Sequence, residues 1–335
     1  MALPDAVVGT IADLAPRFAG VATVDRPEGR ELEVVNGLAN RAYNVPMTAD
    51  TRFGIASGSK VFTAIIALRL ARRGLLTLDT PVREWLGDDL PLIAQEVTLE
   101  QLLTHTSGIG DYLDEDLVGD TDYILSEPVH RLTTSEAFLP MLQGFPMREA
   151  PGETFRYNNG GLVVAAIVAE RASGRTYAEL VEDEVTVPAG LTNTGILRTD
   201  SLPADVALGY IEDEGNQTNV LHLPVLASGD GGAFTNADDV LAFWRALTGG
   251  VLVTAEDYAT MTRPRNFFPQ ERMRYGLGMW LHETGPALIM EGCDAGQSFR
   301  STHDPETGLT ATVFGNTAGN AWGIVKELGK LFDAE

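Results

Sequence analysis

Strand-like runs stand at both ends of this chain with helical sequence between them, and that arrangement limits the fold more than any other feature. Near the N-terminus, GVATVD (20–25) and ELEVVNG (31–37) are rich in β-branched residues, and the RPEG between them reads as a hairpin turn. Toward the C-terminus, 277–282, 287–291, 297–303 and 309–315 read as strands, and Asp304-Pro305-Glu306-Thr307-Gly308 turns between the last two. Buried strands cannot leave their backbone groups unpaired. The simplest solution is one mainly antiparallel sheet built from both ends and flanked by helices, with an all-helical region inserted: an α/β (α+β) class. The expected division is a discontinuous sheet domain (1–62 plus 223–335) and a mainly helical domain (63–222), with a site at their interface.

The helices announce themselves by period and by caps. Val7, Val8, Ile11, Leu14 and Phe18 recur at helical spacing with acids between them, which makes an amphipathic helix rather than a signal peptide. Lys60 to Arg72 is a largely apolar helix with Gly74 as its stop. Thr98-Leu99-Glu100-Gln101 has capping-box form. Further helices are expected at 161–172, 176–185, 236–247 (opened by Asn236) and 320–333. The stretch 107–133 is polar and irregular, and reads either as a loop over a site or as a surface excursion.

Composition excludes several function classes. With 335 residues, 44% of them hydrophobic, the chain can bury a large core. A net charge of −23 argues against nucleic-acid binding and against electrostatic docking on an anionic membrane. One cysteine, Cys293, permits no internal disulfide, and the five histidines show no ligand spacing, so neither metal nor other cofactor is expected. No apolar run reaches the length of a membrane span, and the expected location is the cytoplasm. The expected partner is a small-molecule substrate; oligomeric state is not legible.

Two short constellations carry chemistry. In Ser57-Gly58-Ser59-Lys60 a serine at a helix start faces a lysine three residues on. Serine needs a neighbouring base to act as a nucleophile, and a buried lysine can lose its proton and serve. By itself S-x-x-K also describes an ordinary helix start with a surface lysine. Ser59 is adjacent to Lys60 and cannot share its helix face. Tyr157-Asn158-Asn159 is the second: a loop tyrosine beside an ammonium can relay a proton, and Asn159 offers an amide to a substrate. A packed tyrosine and turn-forming asparagines would look the same. His105 and Asp230-Gly231-Gly232 read as structural, the latter as a tight turn, and Trp244, Trp280 and Trp322 as core residues.

Several stretches occur together and in order: FGIASGSKVFTA, GLLTLDTPV (74–82), LEQLLTHTSGI (99–109), APGETFRYNNGG (150–161), GDGGAFTNADDVLAFW (229–244) and YGLGMW (275–280). This set resembles the serine β-lactamase and penicillin-binding-protein superfamily. The resemblance is to the branch holding class C β-lactamases, D-alanyl-D-alanine carboxypeptidases, D-amino-acid peptidases and β-lactamase-like carboxylesterases, and it covers most of residues 50–316. It implies the β-lactamase/transpeptidase-like fold and an acyl-enzyme serine hydrolase. Ser57 would attack a carbonyl, Lys60 and Tyr157 would handle protons as a coupled pair, and Asn159 would line the site.

The family's third motif, Lys-Thr-Gly or His-Thr-Gly, is altered. Its best counterpart is Met290-Glu291-Gly292, followed by Cys293-Asp294, and no register from 288 to 298 supplies a cation. Gly292 suits close backbone approach, and the Cys293 N–H with that of Ser57 would form an oxyanion hole. Glu291 and Asp294 would repel a substrate carboxylate unless Arg156 or Arg300 folds in. The expectation is hydrolysis of a small, neutral or amine-bearing ester or amide. Alternatives are a D,D-peptidase, D-aminopeptidase or β-lactamase, an acyltransferase, or a silent binding protein of the same fold.

Overall fold

The computed structural model describes residues 3–115 and 123–333. Its principal elements, in chain order, are α1 (Asp5–Leu14), β1 (Gly20–Arg26), β2 (Gly29–Asn36), α2 (Lys60–Arg72), α3 (Asn159–Ser173), α4 (Ala237–Thr248), β3 (Asn266–Phe268), β4 (Met273–Tyr275), β5 (Trp280–His282), β6 (Leu288–Asp294), β7 (Gln297–His303), β8 (Thr310–Gly315) and α5 (Trp322–Gly329). The eight strands form one antiparallel sheet in the order β2-β1-β8-β7-β6-β5-β4-β3. The two ends of the chain meet in its middle: β1 lies beside β8, with Val21 opposite Phe314 and Ala22 opposite Val313.

Both faces of these central strands are covered, and the two-residue period decides which residue goes where. Val21, Phe299 and Phe314 join the large apolar cluster that includes α2, α3 and α4. Ala22, Val24, Ala311 and Val313 point the other way, onto Val7 and Ile11 of α1 and Ile324 and Leu328 of α5. Each large apolar side chain buried this way contributes roughly 1.5–3 kcal/mol. The helix stops act as their sequence suggests. Gly74 takes φ +70°, and the Gly74 and Leu75 N–H groups donate to the Ala71 and Leu70 carbonyls, closing α2.

Some expectations need correction. The strand read at 277–282 is confined to Trp280–His282, because Gly278 turns the chain at φ +73°. The sheet continues past it through β4 and β3, a hairpin whose three-residue strands are too short to show alternation. The helix at 176–185 is α-helical only over Tyr177–Val181. It widens into a π turn at Glu182–Thr186, where the buried Glu184 is paired with Arg69 of α2 and with Arg73 just past its end. The last helix is Trp322–Gly329, shorter than the 320–333 expected. Of the polar stretch 107–133, residues 116–122 lie outside the described residues.

Candidate active site

Ser57 lies in a 3₁₀ turn, Ala56–Ser59, that feeds into α2. Ala56 holds φ +44°, a conformation that costs a non-glycine residue about 1–3 kcal/mol and is stabilised only by its surroundings. Those surroundings are two backbones pressed against the turn. A Cβ on Gly231 would stand 2.7 Å from the Ala56 carbonyl oxygen, and one on Gly292 would stand 2.3 Å from the Ile55 carbonyl oxygen and 2.7 Å from the Ser57 nitrogen. Only glycine allows this approach. Strand β5 pairs with β6 only at Leu288 and Ile289, and the rest of β6 is left to face the Ser57 turn.

One helical turn on, Lys60 Nζ donates to Ser57 Oγ at 2.6 Å, to Asn159 Oδ1 at 2.8 Å and to the main-chain carbonyl of Asp230. Burial pushes the Lys60 amine below its usual pKa, and Asp230, Glu115, Asp111 and Asp294 pull it back up. Ser59 is not a rival: it is buried and its hydroxyl is used by the Ala56 carbonyl and the Ala233 N–H.

Tyr157 comes from a distant stretch of chain. Ser57 acts on its phenol as a minor influence that lowers the pKa, and its ring centroid lies 4.8 Å from Lys60 Nζ. Burial raises the phenol well above its usual pKa, so it stays protonated. The ring is clamped between Trp280, stacked at 5.8 Å, and His105 at 4.5 Å. His105 is buried and, by that burial, held neutral. Its Nδ1 accepts the Asn158 N–H at 3.1 Å, so Nε2 carries the proton and donates to the Tyr275 hydroxyl at 3.0 Å.

Asn159 begins α3, and two side chains fix that helix start. Asn158 accepts the Gly161 N–H, and Asp111 accepts the N–H groups of Asn159 and Gly160 at 2.6 and 2.8 Å. Burial pushes Asp111 up to about 7 in spite of those donors. The Asn159 amide nitrogen donates to the Leu113 carbonyl and to Glu115.

The third-motif residues divide. Glu291 is not the bare anion expected: Arg300, its cross-strand neighbour on β7, pairs with it. Arg156 pairs with Glu149 at 3.1 Å. Asp294 accepts the Tyr123 hydroxyl at 2.5 Å and the Ala295 N–H at 2.7 Å, and burial pushes it up to about 7.

Ser57 opens onto two cavities. The smaller, of about 760 Å³, is walled by Asn159, Cys293 and Asp294 together with Tyr112, Tyr123 and Asp230. A wider cleft, of about 1580 Å³, is walled by Tyr157, Glu291, Gly292 and Cys293. The sequence reading missed Tyr112, Tyr123 and Asp230. The tight turn at Asp230 is real, but its carbonyl holds Lys60 and its carboxylate accepts the Tyr112 hydroxyl at 2.5 Å. The GDGG stretch was the available signal. Trp322 is likewise not a core residue; it lines the wide cleft and donates to the Ala318 carbonyl. Among the described residues, no group of His, Cys, Asp and Glu is arranged to hold a metal ion, and no helix is long and apolar enough to cross a membrane.

A family model described as Beta-lactamase matches residues 7–329. The chain belongs to the beta-lactamase family. The crystal structure of a penicillin binding protein from Bacillus halodurans superposes with a TM-score of 0.89 at 35% identity, covering 97% of this chain and all of that one. Penicillin-binding protein 4* of Bacillus subtilis (strain 168) is 28% identical over 265 residues, 75% of this chain. Esterase EstB of Burkholderia gladioli is 32% identical over 250 residues, 63% of this chain. The chain spans only 56% and 60% of the lengths of these two relatives. Within the beta-lactamase family, then, its neighbours carry both penicillin-binding-protein and esterase names.

Proposed function

We propose that the protein is a serine hydrolase that forms an acyl-enzyme on a small ester or amide, with Ser57 as nucleophile, Lys60 as its base and Tyr157 as proton donor to the leaving group. The observation that carries this is the 2.6 Å hydrogen bond between Lys60 Nζ and Ser57 Oγ inside a buried pocket. Lys60, depressed by burial, takes the Ser57 proton as Oγ attacks the carbonyl carbon. The carbonyl oxygen is received by the N–H groups of Ser57 and Cys293. As the tetrahedral species collapses, the Tyr157 phenol passes its proton to the leaving atom, and Lys60, carrying the proton taken from Ser57, returns it to the phenolate. Water then repeats the sequence on the acyl-enzyme. The reading puts the site at the junction of 1–62 plus 223–335 with 63–222, and uses Asn159 to hold Lys60 as well as to line the cavity.

A substrate carboxylate is disfavoured by this reading. The third motif reads Met290-Glu291-Gly292 where the family resemblance implies Lys-Thr-Gly or His-Thr-Gly, and the two nearby arginines are engaged with Glu291 and Glu149. A neutral or amine-bearing substrate follows. Fluorophosphonate labelling of wild type and Ser57→Ala, with turnover of p-nitrophenyl esters, D-aminoacyl amides and nitrocefin, tests it. The expected result is a Ser57-dependent adduct with turnover of esters or amides. A burst with benzylpenicillin and no hydrolysis of neutral esters overturns it in favour of a D,D-peptidase or β-lactamase.

A further inference from the structure

Lys60 can serve Ser57 as a base only when its lone pair points at the serine. An ammonium has three N–H groups, whereas the neutral amine has two and a lone pair. Of the three partners of Lys60 Nζ, the Asn159 amide oxygen and the Asp230 main-chain carbonyl can only accept, and the Ser57 hydroxyl can also donate. With its two N–H groups held by those acceptors, the neutral amine turns its lone pair to the Ser57 O–H. The aim of the base is therefore set by whatever fixes Asn159 and Asp230.

Two consecutive residues do this. Asp111 is buried, and its carboxylate accepts the N–H groups of Asn159 and Gly160 at 2.6 and 2.8 Å and that of Leu113 at 3.2 Å. It thus ties the backbone of Asn159 to the turn that carries Leu113 and Glu115. The Leu113 carbonyl and the Glu115 carboxylate receive the Asn159 Nδ2 at 3.1 and 2.9 Å. With Nδ2 turned to two acceptors, Oδ1 is left facing Lys60. Tyr112, the next residue, donates its hydroxyl to the Asp230 carboxylate at 2.5 Å. Asp230 stands between Gly229 and Gly231, where the chain has no neighbouring side chains to hold it. Its carboxylate is the handle that keeps its carbonyl on Lys60.

We propose that Asp111 and Tyr112 are positioning residues for the base: Asp111 acts through Asn159 and Tyr112 through Asp230, and together they aim the Lys60 lone pair at Ser57. This rests on the acyl-enzyme reading above. Neither residue gains or loses a bond in the reaction.

The test measures labelling of Ser57 by a fluorophosphonate, resolved into its binding constant KI and its rate kinact, together with turnover of p-nitrophenyl acetate. The proteins are wild type, Asp111→Asn, Tyr112→Phe and the double variant. Asparagine keeps one acceptor oxygen but turns an NH2 against a backbone N–H. Phenylalanine keeps the ring, 6.5 Å from that of Phe138, and loses only the hydroxyl. Each single variant should lower kinact and kcat by about tenfold or more, with KI and KM moving less than about twofold. Because both residues act on one amine, the double variant should lose less than the product of the single losses, whereas independent effects multiply. A rise in KI or KM with kinact and kcat preserved makes these residues cavity wall, and losses that multiply make them separate supports; either result overturns the proposal. Variants that label as fast as wild type overturn it too, and leave the acyl-enzyme reading standing. Absence of Ser57-dependent labelling in wild type, judged against Ser57→Ala, sinks both. Circular dichroism separates a lost rate from a lost fold. If Asp111→Asn does not fold, Tyr112→Phe alone decides, by the split between kinact and KI.

Discussion

Asp230 acts on Lys60 twice: its main-chain carbonyl accepts a hydrogen bond from the Lys60 amine, and its half-buried carboxylate raises the pKa of that same amine through space. Burial works in the opposite direction and is the stronger influence. The backbone contact survives any side-chain substitution, so the two effects can be separated.

Asp230→Asn should therefore move the pH dependence of kcat/KM in a definite direction. Lys60 serves as base only when neutral, so activity rises as pH passes upward through its pKa. Removing a neighbouring negative charge disfavours the ammonium, lowers that pKa, and shifts the rising limb to lower pH, by about one unit or more for a charge this close. Asparagine still offers an oxygen to the Tyr112 hydroxyl. A limb that stays put or moves to higher pH would show that Lys60 is not the group being titrated.

Gly292→Ala tests the fit between β6 and the nucleophile's turn. The added methyl would lie 2.3 Å from the Ile55 carbonyl oxygen and 2.7 Å from the Ser57 and Gly58 nitrogens, all of them backbone. Something must shift, at a cost of about 1–3 kcal/mol for overpacking of this kind. The shift separates Ser57 from the Cys293 N–H, and misplacement by about 1 Å costs on the order of 100-fold in rate. Steady-state kinetics and a denaturant midpoint should both fall. A large loss of stability with full kcat would mean that these N–H groups do not receive the carbonyl oxygen.

How much of this could be read from the sequence follows from where each signal resides. The sheet's closure by β1 and β8 was legible because both are runs of six or seven residues rich in β-branched side chains and neither can stay unpaired. Ser57 and Lys60 were legible because three residues on one helix start fix their mutual reach. Tyr157 and Asn159 were suggested only by their company of motifs, since nothing local says that residue 157 returns to residue 57. Asp230 was passed over because its contribution is a backbone carbonyl, which has no residue type to betray it. Tyr112 and Tyr123 sit in a polar stretch without periodicity, and Trp322 looks like any aromatic on an amphipathic helix. Arg300 neutralising Glu291 depends on strand register, which composition does not reveal.

His105 is expected to hold Tyr157 in place at a cost in acid stability. His105→Phe keeps a ring beside Tyr157 but leaves the Asn158 N–H without its acceptor, and should cost about 1–3 kcal/mol at neutral pH. In the native protein burial keeps the imidazole well below its usual pKa of 6.5, whereas the unfolded chain protonates it normally. The unfolded state thus binds the extra proton as pH falls below about 6.5, and wild type loses stability there. His303, held at about 4, adds to that loss in both proteins. Denaturant midpoints at pH 7.5 and pH 5.5 should show the gap between wild type and variant narrowing at the lower pH; a widening gap would mean that the native imidazole is charged.

Cys293 offers a chemical probe of the whole arrangement. Its half-buried side chain walls both cavities, with Sγ 3.6 Å from the Ala318 carbonyl oxygen, and its own N–H is assigned to the carbonyl oxygen of the substrate. Iodoacetamide would place a carboxamidomethyl group at the junction where acyl and leaving groups diverge. Inactivation should follow alkylation one for one by mass spectrometry, and Cys293→Ala should be indifferent to the reagent. Prior reaction of Ser57 with a fluorophosphonate should slow alkylation, because the phosphoryl group fills the same junction. Stoichiometric alkylation with undiminished turnover would place the reacting carbonyl elsewhere, and the Ser57 turn and β6 would then not be two walls of one site.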